Sequence, residues 1–196
     1  MGKVIANAVV SLDGFIADTD DAVGPLFDFL TNGDAEITGA DPNHVFHVTE
    51  ATAGYLRPIW ASIGAVVVGR RLFDLTNGWN GHRPVGDHVF VVTHEAPADW
   101  PFSDAPFTFV TDGLAGAIAK AKAFAGDRNV ALTAGNLTGQ ALAAGLVDEL
   151  SVSVAPVVFG SGVRFFGDYA GPPALLDNPQ VVLGDRVTHL HYRVSR

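Results

Sequence analysis

Apolar residues fall in short blocks along the chain, and the spacing inside each block separates strands from helices. Lys3 to Val10 is an apolar run of strand length, closed by turn chemistry at Ser11-Leu12-Asp13-Gly14, and reads as a buried first strand. Gly64 to Gly69 is a second, β-branched run, and Arg70 to Leu75 opens a helix directly after it. His88 to Val92 and Phe107 to Val110 read as further strands. Asp112 caps a helix with apolar positions at Leu114, Ile118 and Ala121, which Gly126 stops before a strand at Asn129 to Thr133. Asn136 caps another helix, carrying Leu137, Ala141 and Leu142 and ending at Gly145. Leu150 to Val154 then alternates apolar residues with serine, as a half-buried strand does.

Three stretches depart from this alternation. Residues 17 to 43 hold seven acidic residues with Gly24, Pro25, Gly33, Gly39 and Pro42, which predicts a long irregular excursion of the kind that covers a site. A helix is expected from Asn43 to about Ile63, with Gly54 and Pro58 positioned to break it in two. At the C-terminal end, Val181 to Leu183 and Val187 to Val194 flank a Gly184-Asp185 break and predict an antiparallel hairpin on a sheet edge. Repeated β-α-β units plus a hairpin, with no linker or shift in composition, predict one α/β domain over residues 1–196 with a mixed sheet.

Charge narrows the function classes. Twelve Lys and Arg against 21 Asp and Glu give a net charge of −9, which argues against nucleic acid, where clustered cations must neutralise phosphates. No apolar run reaches the length of a membrane span, and the first strand lacks a signal peptide's cleavage region, so a cytoplasmic protein is expected. The absence of cysteine excludes disulfides and thiolate metal sites. With 48% hydrophobic and only 17% charged residues, apolar surface is left for a second subunit, and a homodimer is expected.

Two strand-to-helix junctions carry candidate chemistry. Thr133 to Gly139 ends a strand and opens a helix, where free N–H groups and the helix dipole favour a phosphate; the same residues also suit an ordinary cap with close packing at Gly135. Val68-Gly69-Arg70-Arg71 is a second junction with two cations suited to bidentate phosphate contact, and the two together can hold a dinucleotide. Trp79 either stacks on a planar substrate or anchors its loop. His82 and Arg83 either add positive charge to a cleft or lie in a solvated loop. His44 with His47, and His189 with His191, have metal-ligand spacing but no third ligand nearby in sequence, and no metal site is expected.

Ser11-Leu12-Asp13-Gly14-Phe15-Ile16-Ala17, Val68-Gly69-Arg70-Arg71-Leu72-Phe73-Asp74, Gly145-Leu146-Val147-Asp148-Glu149-Leu150 and, with Pro156, Phe159-Gly160-Ser161-Gly162 occur in that order. This set resembles the dihydrofolate reductase-like superfamily, most closely the reductase domain of riboflavin-biosynthesis deaminase-reductases and its stand-alone relatives. The resemblance runs from Lys3 to the last strand. It implies a three-layer α/β fold with a mostly parallel central sheet and an antiparallel C-terminal hairpin. It also implies NADPH as cofactor, with Gly69, Arg70 and Arg71 near the adenosine 2′-phosphate and Thr93 and His94 beside the adenine ribose. Gly135, Asn136 and Leu137 would lie against the pyrophosphate, and Ala8 and Ile16 near the nicotinamide.

The carboxylate that protonates substrate in dihydrofolate reductases falls, by their spacing, on Ala53, and no acidic residue occurs from Ala51 through Ala65. Folate reduction is therefore disfavoured. Asp13 is the candidate catalytic residue, the polar group near a substrate from which, or from a bound water, a proton would come, with an Asx turn that shapes its loop as the alternative. The expected activity is hydride delivery from NADPH to a C=N or C=O group of a small pyrimidine- or pterin-like substrate. The alternative is a non-catalytic nucleotide-binding or dimeric scaffold that retains the fold.

Overall fold

The apolar blocks assemble into one eight-stranded sheet in a computed structural model that describes residues 2–195. In chain order, the elements begin with β1 (Val4–Val10), β2 (Phe15–Ala17), a 3-10 turn (Gly24–Leu30), β3 (Ala35–Thr38), β4 (Val45–Val48) and α1 (Glu50–Ser62). They continue with β5 (Ile63–Gly69), α2 (Arg70–Leu75), β6 (His88–Val92), β7 (Phe107–Val110), α3 (Gly113–Ala125) and β8 (Asn129–Thr133). The last are α4 (Asn136–Ala143), β9 (Glu149–Val154), β10 (Val163–Arg164), β11 (Gln180–Gly184) and β12 (Val187–Arg193). The main sheet runs β11-β12-β9-β1-β8-β5-β6-β7. From β9 to β7 every pairing is parallel, whereas β12 joins β9, and β11 joins β12, antiparallel. The fold is thus mixed α/β, mostly parallel, with an antiparallel C-terminal pair.

Helices cover both faces because the central strands are apolar on both. On one face α3 and α4 bury Ala117, Ile118, Ala121 and Ala141 against Val4, Ala6, Ala65, Val67, Val130 and Leu132. The alanines let α3 approach closely; a Cβ on Gly64 of β5 would meet the Ala125 methyl at 2.8 Å. On the other face Phe73 of α2 packs on Ile5, Val66, Val68, Val89 and Val91. There α1 buries Ala53, Tyr55 and Leu56 with Val187 of β12 and the small β3-β4 sheet.

Several local expectations change. Residues 17 to 43 are not wholly irregular: Gly24–Leu30 is a 3-10 turn and Ala35–Thr38 is a strand. The helix expected from Asn43 begins only at Glu50, because Val45–Val48 pairs with β3, and Thr49 Oγ then caps α1 by accepting from the Thr52 amide at 3.3 Å. Pro58 does not break α1: it and Gly54, whose carbonyl it leaves without a helical donor, both lie on the exposed face where water can replace the bond. Asp112 occupies a cap position, yet its carboxylate takes Lys120 at 2.8 Å instead of a helix amide. At α4 the cap is Gly135; Asn136 is the first helical residue, and its Oδ1 accepts from the Asp168 amide at 3.1 Å. The C-terminal hairpin turns at Asp185-Arg186, one residue later than expected, with Arg186 at φ +56°. Among the described residues no helix is long and apolar enough to cross a membrane.

Candidate functional site

Parallel strands that end together leave their helix starts and loops around one crevice. Here β5, β6 and β8 end beside a cleft of about 1560 Å³, more than the roughly 300–1,000 Å³ of a pocket for one drug-sized molecule. Ala8, Ile16, Gly69, Arg70, Arg71, Trp79, Thr93, His94, Gly135, Asn136 and Leu137 all line it. Asp13 does not.

At one end the β5-α2 and β8-α4 junctions lie side by side, so close that a Cβ on Gly69 would sit 3.4 Å from the Leu137 side chain. Gly135 has φ +93° and ψ −151°, a conformation essentially reserved for glycine, and a Cβ there would meet nothing within 4 Å. Packing of helix on sheet is therefore not its reason; the backbone turn itself requires the glycine. Its amide donates to the Phe165 carbonyl at 2.8 Å, so the helix-start amides open to an anion begin at Asn136.

Both arginines of the second junction are held by carboxylates. Arg70 Nε donates to both oxygens of Asp74 at 2.8 and 2.9 Å, and its Nη1 reaches the Glu95 carbonyl at 2.9 Å and Thr93 Oγ at 3.3 Å. Arg71 donates to Asp21 at 2.7 and 3.2 Å, which ties the loop after β2 across the cleft to α2. An arriving phosphate meets guanidinium groups that already have partners. His82 and Arg83 line the same cleft. Trp79 is half-buried, packs on the Phe73 cluster as a loop anchor does, and also lines the cleft. It sits in a left-handed turn in which Asn77, Gly78, Trp79 and Asn80 all have φ between 49° and 56°.

Asp13 is placed as a loop brace. Its carboxylate accepts from Ser11 Oγ at 2.6 Å and from the amides of Phe159 and Gly160 at 3.2 and 2.7 Å. The Ser11 hydrogen bond, with help from the two amides, holds it below the usual carboxylate range. A carboxylate so occupied and outside the cleft is poorly suited to donate a proton there, and the Asx-type role fits its geometry. Nor does α1 supply an acid: Ala53 is buried, Glu50 is exposed, and α1 lines the cleft with Leu56, Ile59 and Trp60.

The other end of the cleft has a polar floor that no local motif announces. Two rungs of the sheet cross it: Asn7, Ser151 and His191 in register, then Val9, Ser153 and His189. Asn7, Val9, Ser151 and Ser153 line the cleft. Behind them Tyr55 stacks on His189, 4.6 Å between centroids, and its hydroxyl lies 2.9 Å from Ser151 Oγ. His189 has Nδ1 at 2.8 Å from Ser153 Oγ and Nε2 at 3.1 Å from Thr52 Oγ. Burial pushes His189 down to about 4, so the ring is neutral at pH 7. Burial pushes Glu149 up, but hydrogen bonds from Lys3 and His191 outweigh it and hold the carboxyl below its usual range. Each ring of the His189-His191 pair is thus engaged by hydroxyl or carboxylate groups, and His44 packs on Phe46 at the cleft rim. The only sequence signal for this floor was the alternation of serine with apolar residues in β9.

Comparison with known proteins agrees with this architecture. Residues 2–183 match the RibD C-terminal domain. A protein from Shewanella sp. PV-4, named for riboflavin biosynthesis, superposes with a TM-score of 0.72 at 23% identity over 99% of each chain. The Thermotoga maritima diaminohydroxyphosphoribosylaminopyrimidine deaminase/5-amino-6-(5-phosphoribosylamino)uracil reductase gives 0.63 at 17% identity, over 99% of this chain and 57% of that one. Enterococcus faecalis dihydrofolate reductase, complexed with NADP(H), gives 0.58 at 13% identity over 100% of this chain and 98% of that one. With nearly its whole length matched, the chain belongs to the RibD C-terminal domain family.

Proposed function

We propose that the protein is an NADPH-dependent reductase that delivers hydride to a C=N or C=O group of a small pyrimidine-like heterocycle. The observation that carries this reading is one cleft with two differently built ends: paired strand-to-helix junctions at one, a neutral polar floor at the other. Its volume suits a dinucleotide together with a small second molecule. The residues fit the cofactor: the open space over Gly135 leaves room for a pyrophosphate at the start of α4, and Arg70 and Arg71 are the cations at hand for a 2′-phosphate. Thr93 and His94 would flank the adenine ribose, and Ala8 and Ile16 the nicotinamide.

When bound, NADPH supplies the hydride. The chain's own part is to align the two molecules, with Trp79 and the apolar wall of α1 excluding water, and to face the reacting group with the hydroxyls of β9. The enzyme is read as a cytoplasmic homodimer with no nucleic-acid or membrane partner. Support for the dimer comes from a sheet face of the rungs Val181-Leu190-Val152 and Leu183-Thr188-Val154, where Val181 and Leu183 are 53% and 71% exposed. The test is NADPH titration followed by oxidation against a panel of pyrimidines, pterins, flavins and quinones. Tight NADPH binding with turnover of one member is expected; binding without any oxidation would favour the scaffold.

A further inference from the structure

A neutral histidine with both nitrogens on hydroxyl groups behaves as a relay whose direction is set at its far end. Here the far end is the cap of α1. Thr49 Oγ, half-exposed, donates to Thr52 Oγ at 3.2 Å. Each threonine hydroxyl has a single proton, so that of Thr52 goes to its other partner, His189 Nε2, at 3.1 Å. The one proton of the neutral ring is then on Nδ1 and is donated to Ser153 Oγ at 2.8 Å. Gly184 in the hairpin lets the strands close over this chain: a Cβ there would meet Thr52 Oγ at 2.4 Å.

We propose that Thr49, Thr52 and His189 form an oriented hydrogen-bond chain that leaves the Ser153 hydroxyl as a donor pointed into the cleft, where it binds and polarises an acceptor atom of the substrate. Ser153 is 6% exposed and lines the cleft, so the donor meets a ligand and little bulk water. Neighbouring Asn7 makes no side-chain hydrogen bond within the described residues and presents a second donor and acceptor one rung away. The hydroxyl and amide groups that line this floor suit a neutral carbonyl or imine. This assignment rests on the reductase reading for the identity of the ligand but not for the direction of the chain. Thr52 and His189 are positioning residues; Ser153 touches the ligand.

The experiment has two readouts. In protein labelled with 15N-histidine, the imidazole nitrogen shifts of His189 are expected to show the Nδ1-protonated tautomer; an Nε2-protonated or doubly protonated ring overturns the proposal. Binding of lumazine, a fluorescent pteridinedione whose pyrimidinedione ring carries two carbonyl acceptors, is then measured beside NADPH in the native protein, Ser153→Ala and Ser153→Thr. The loss of one neutral hydrogen bond predicts that Ala weakens lumazine about five- to tenfold. Thr, which keeps the hydroxyl, should restore affinity to within about twofold on the same basis, and NADPH affinity should not move in either variant. Failure of the native protein to bind lumazine, or equal lumazine affinity in Ser153→Ala, overturns the proposal. A native protein that binds lumazine but not NADPH refutes the reductase reading instead, while the tautomer still decides the chain. If Ser153→Ala does not fold, the tautomer in the native protein remains decisive.

Discussion

Acid should destabilise this protein early, through His189. In the unfolded chain the imidazole titrates at its ordinary 6.5, but in the fold, with the ring fully buried under Tyr55, it titrates at about 4. Between those values the unfolded state binds a proton that the native state refuses, so stability is complete above pH 6.5 and falls as the pH drops toward 4. At about 1.4 kcal/mol per pH unit the full loss is about 3 kcal/mol, and the part incurred between pH 7 and pH 5 is about 2 kcal/mol. His88, lowered by burial and then by nearby Arg83, adds in the same direction. Asp13, Asp112 and Glu149, all held below the usual carboxylate range, lose their contributions only at lower pH. Urea titration at pH 7 and pH 5 reads the effect as a fall in midpoint of roughly 1 M for an m-value near 2 kcal/mol/M. His189→Asn keeps a polar side chain but cannot titrate, so its stability should fall by about 2 kcal/mol less over the same range. If the variant kept the full native fall, or NMR put the His189 midpoint near 6.5, the reasoning would be refuted.

The remaining expectations concern the proposed cofactor site and the proposed dimer. Replacing Arg70 and Arg71 with Ala should narrow an NADPH-over-NADH preference by about 1.5 kcal/mol or more, read by parallel titrations; an unchanged ratio would remove both from the 2′-phosphate. Gly135→Ala should cost about 1–3 kcal/mol from backbone strain alone, since its Cβ meets no neighbour, and should weaken NADPH about tenfold by intruding on the cleft. Calorimetry and titration on one sample separate these effects. Leu183→Asp, on the exposed face of β11, should convert a dimer to a monomer in light scattering at micromolar concentration, and a monomeric native protein would defeat the dimer reading.

The sheet was legible in the sequence wherever a strand was a continuous apolar run between glycine or cap signals. β6 and β7 fall where periodicity places them. β3 and β4 were not, because each is only four residues long: β3 alternates, but too briefly to stand out in an acidic, glycine-rich stretch, and β4, Val45-Phe46-His47-Val48, does not alternate. The paired junctions at one end of the cleft were legible because each is contiguous: Gly69-Arg70-Arg71 and Gly135-Asn136-Leu137 are each three residues in a row. The polar floor was not, since Asn7, Ser151 and His191 come from three strands, and only the register of β1, β9 and β12 makes them neighbours. For the same reason sequence alone leaves Asp13 open between a group near a substrate and a loop-shaping Asx turn. Its true partners, the amides of Phe159 and Gly160, are about 146 residues away, and no local pattern points to them.

The place of β1 in the sheet order governs how the chain can fold. This first strand lies between β8 and β9, which begin at Asn129 and Glu149. While the chain is being made, both of its hydrogen-bonding edges therefore stay empty until β8 and then β9, each more than 100 residues further along, have emerged. The sheet can be completed only by closing loops of more than 120 residues, as the pairing of Val4 with Val130 requires. Parallel strands joined across such distances belong to the slow end of folding rates, because loop entropy is lost before any contact repays it. During that interval Val4 to Val10 is a bare apolar strand, open to pairing with another chain, and aggregation should begin there before the native sheet encloses it.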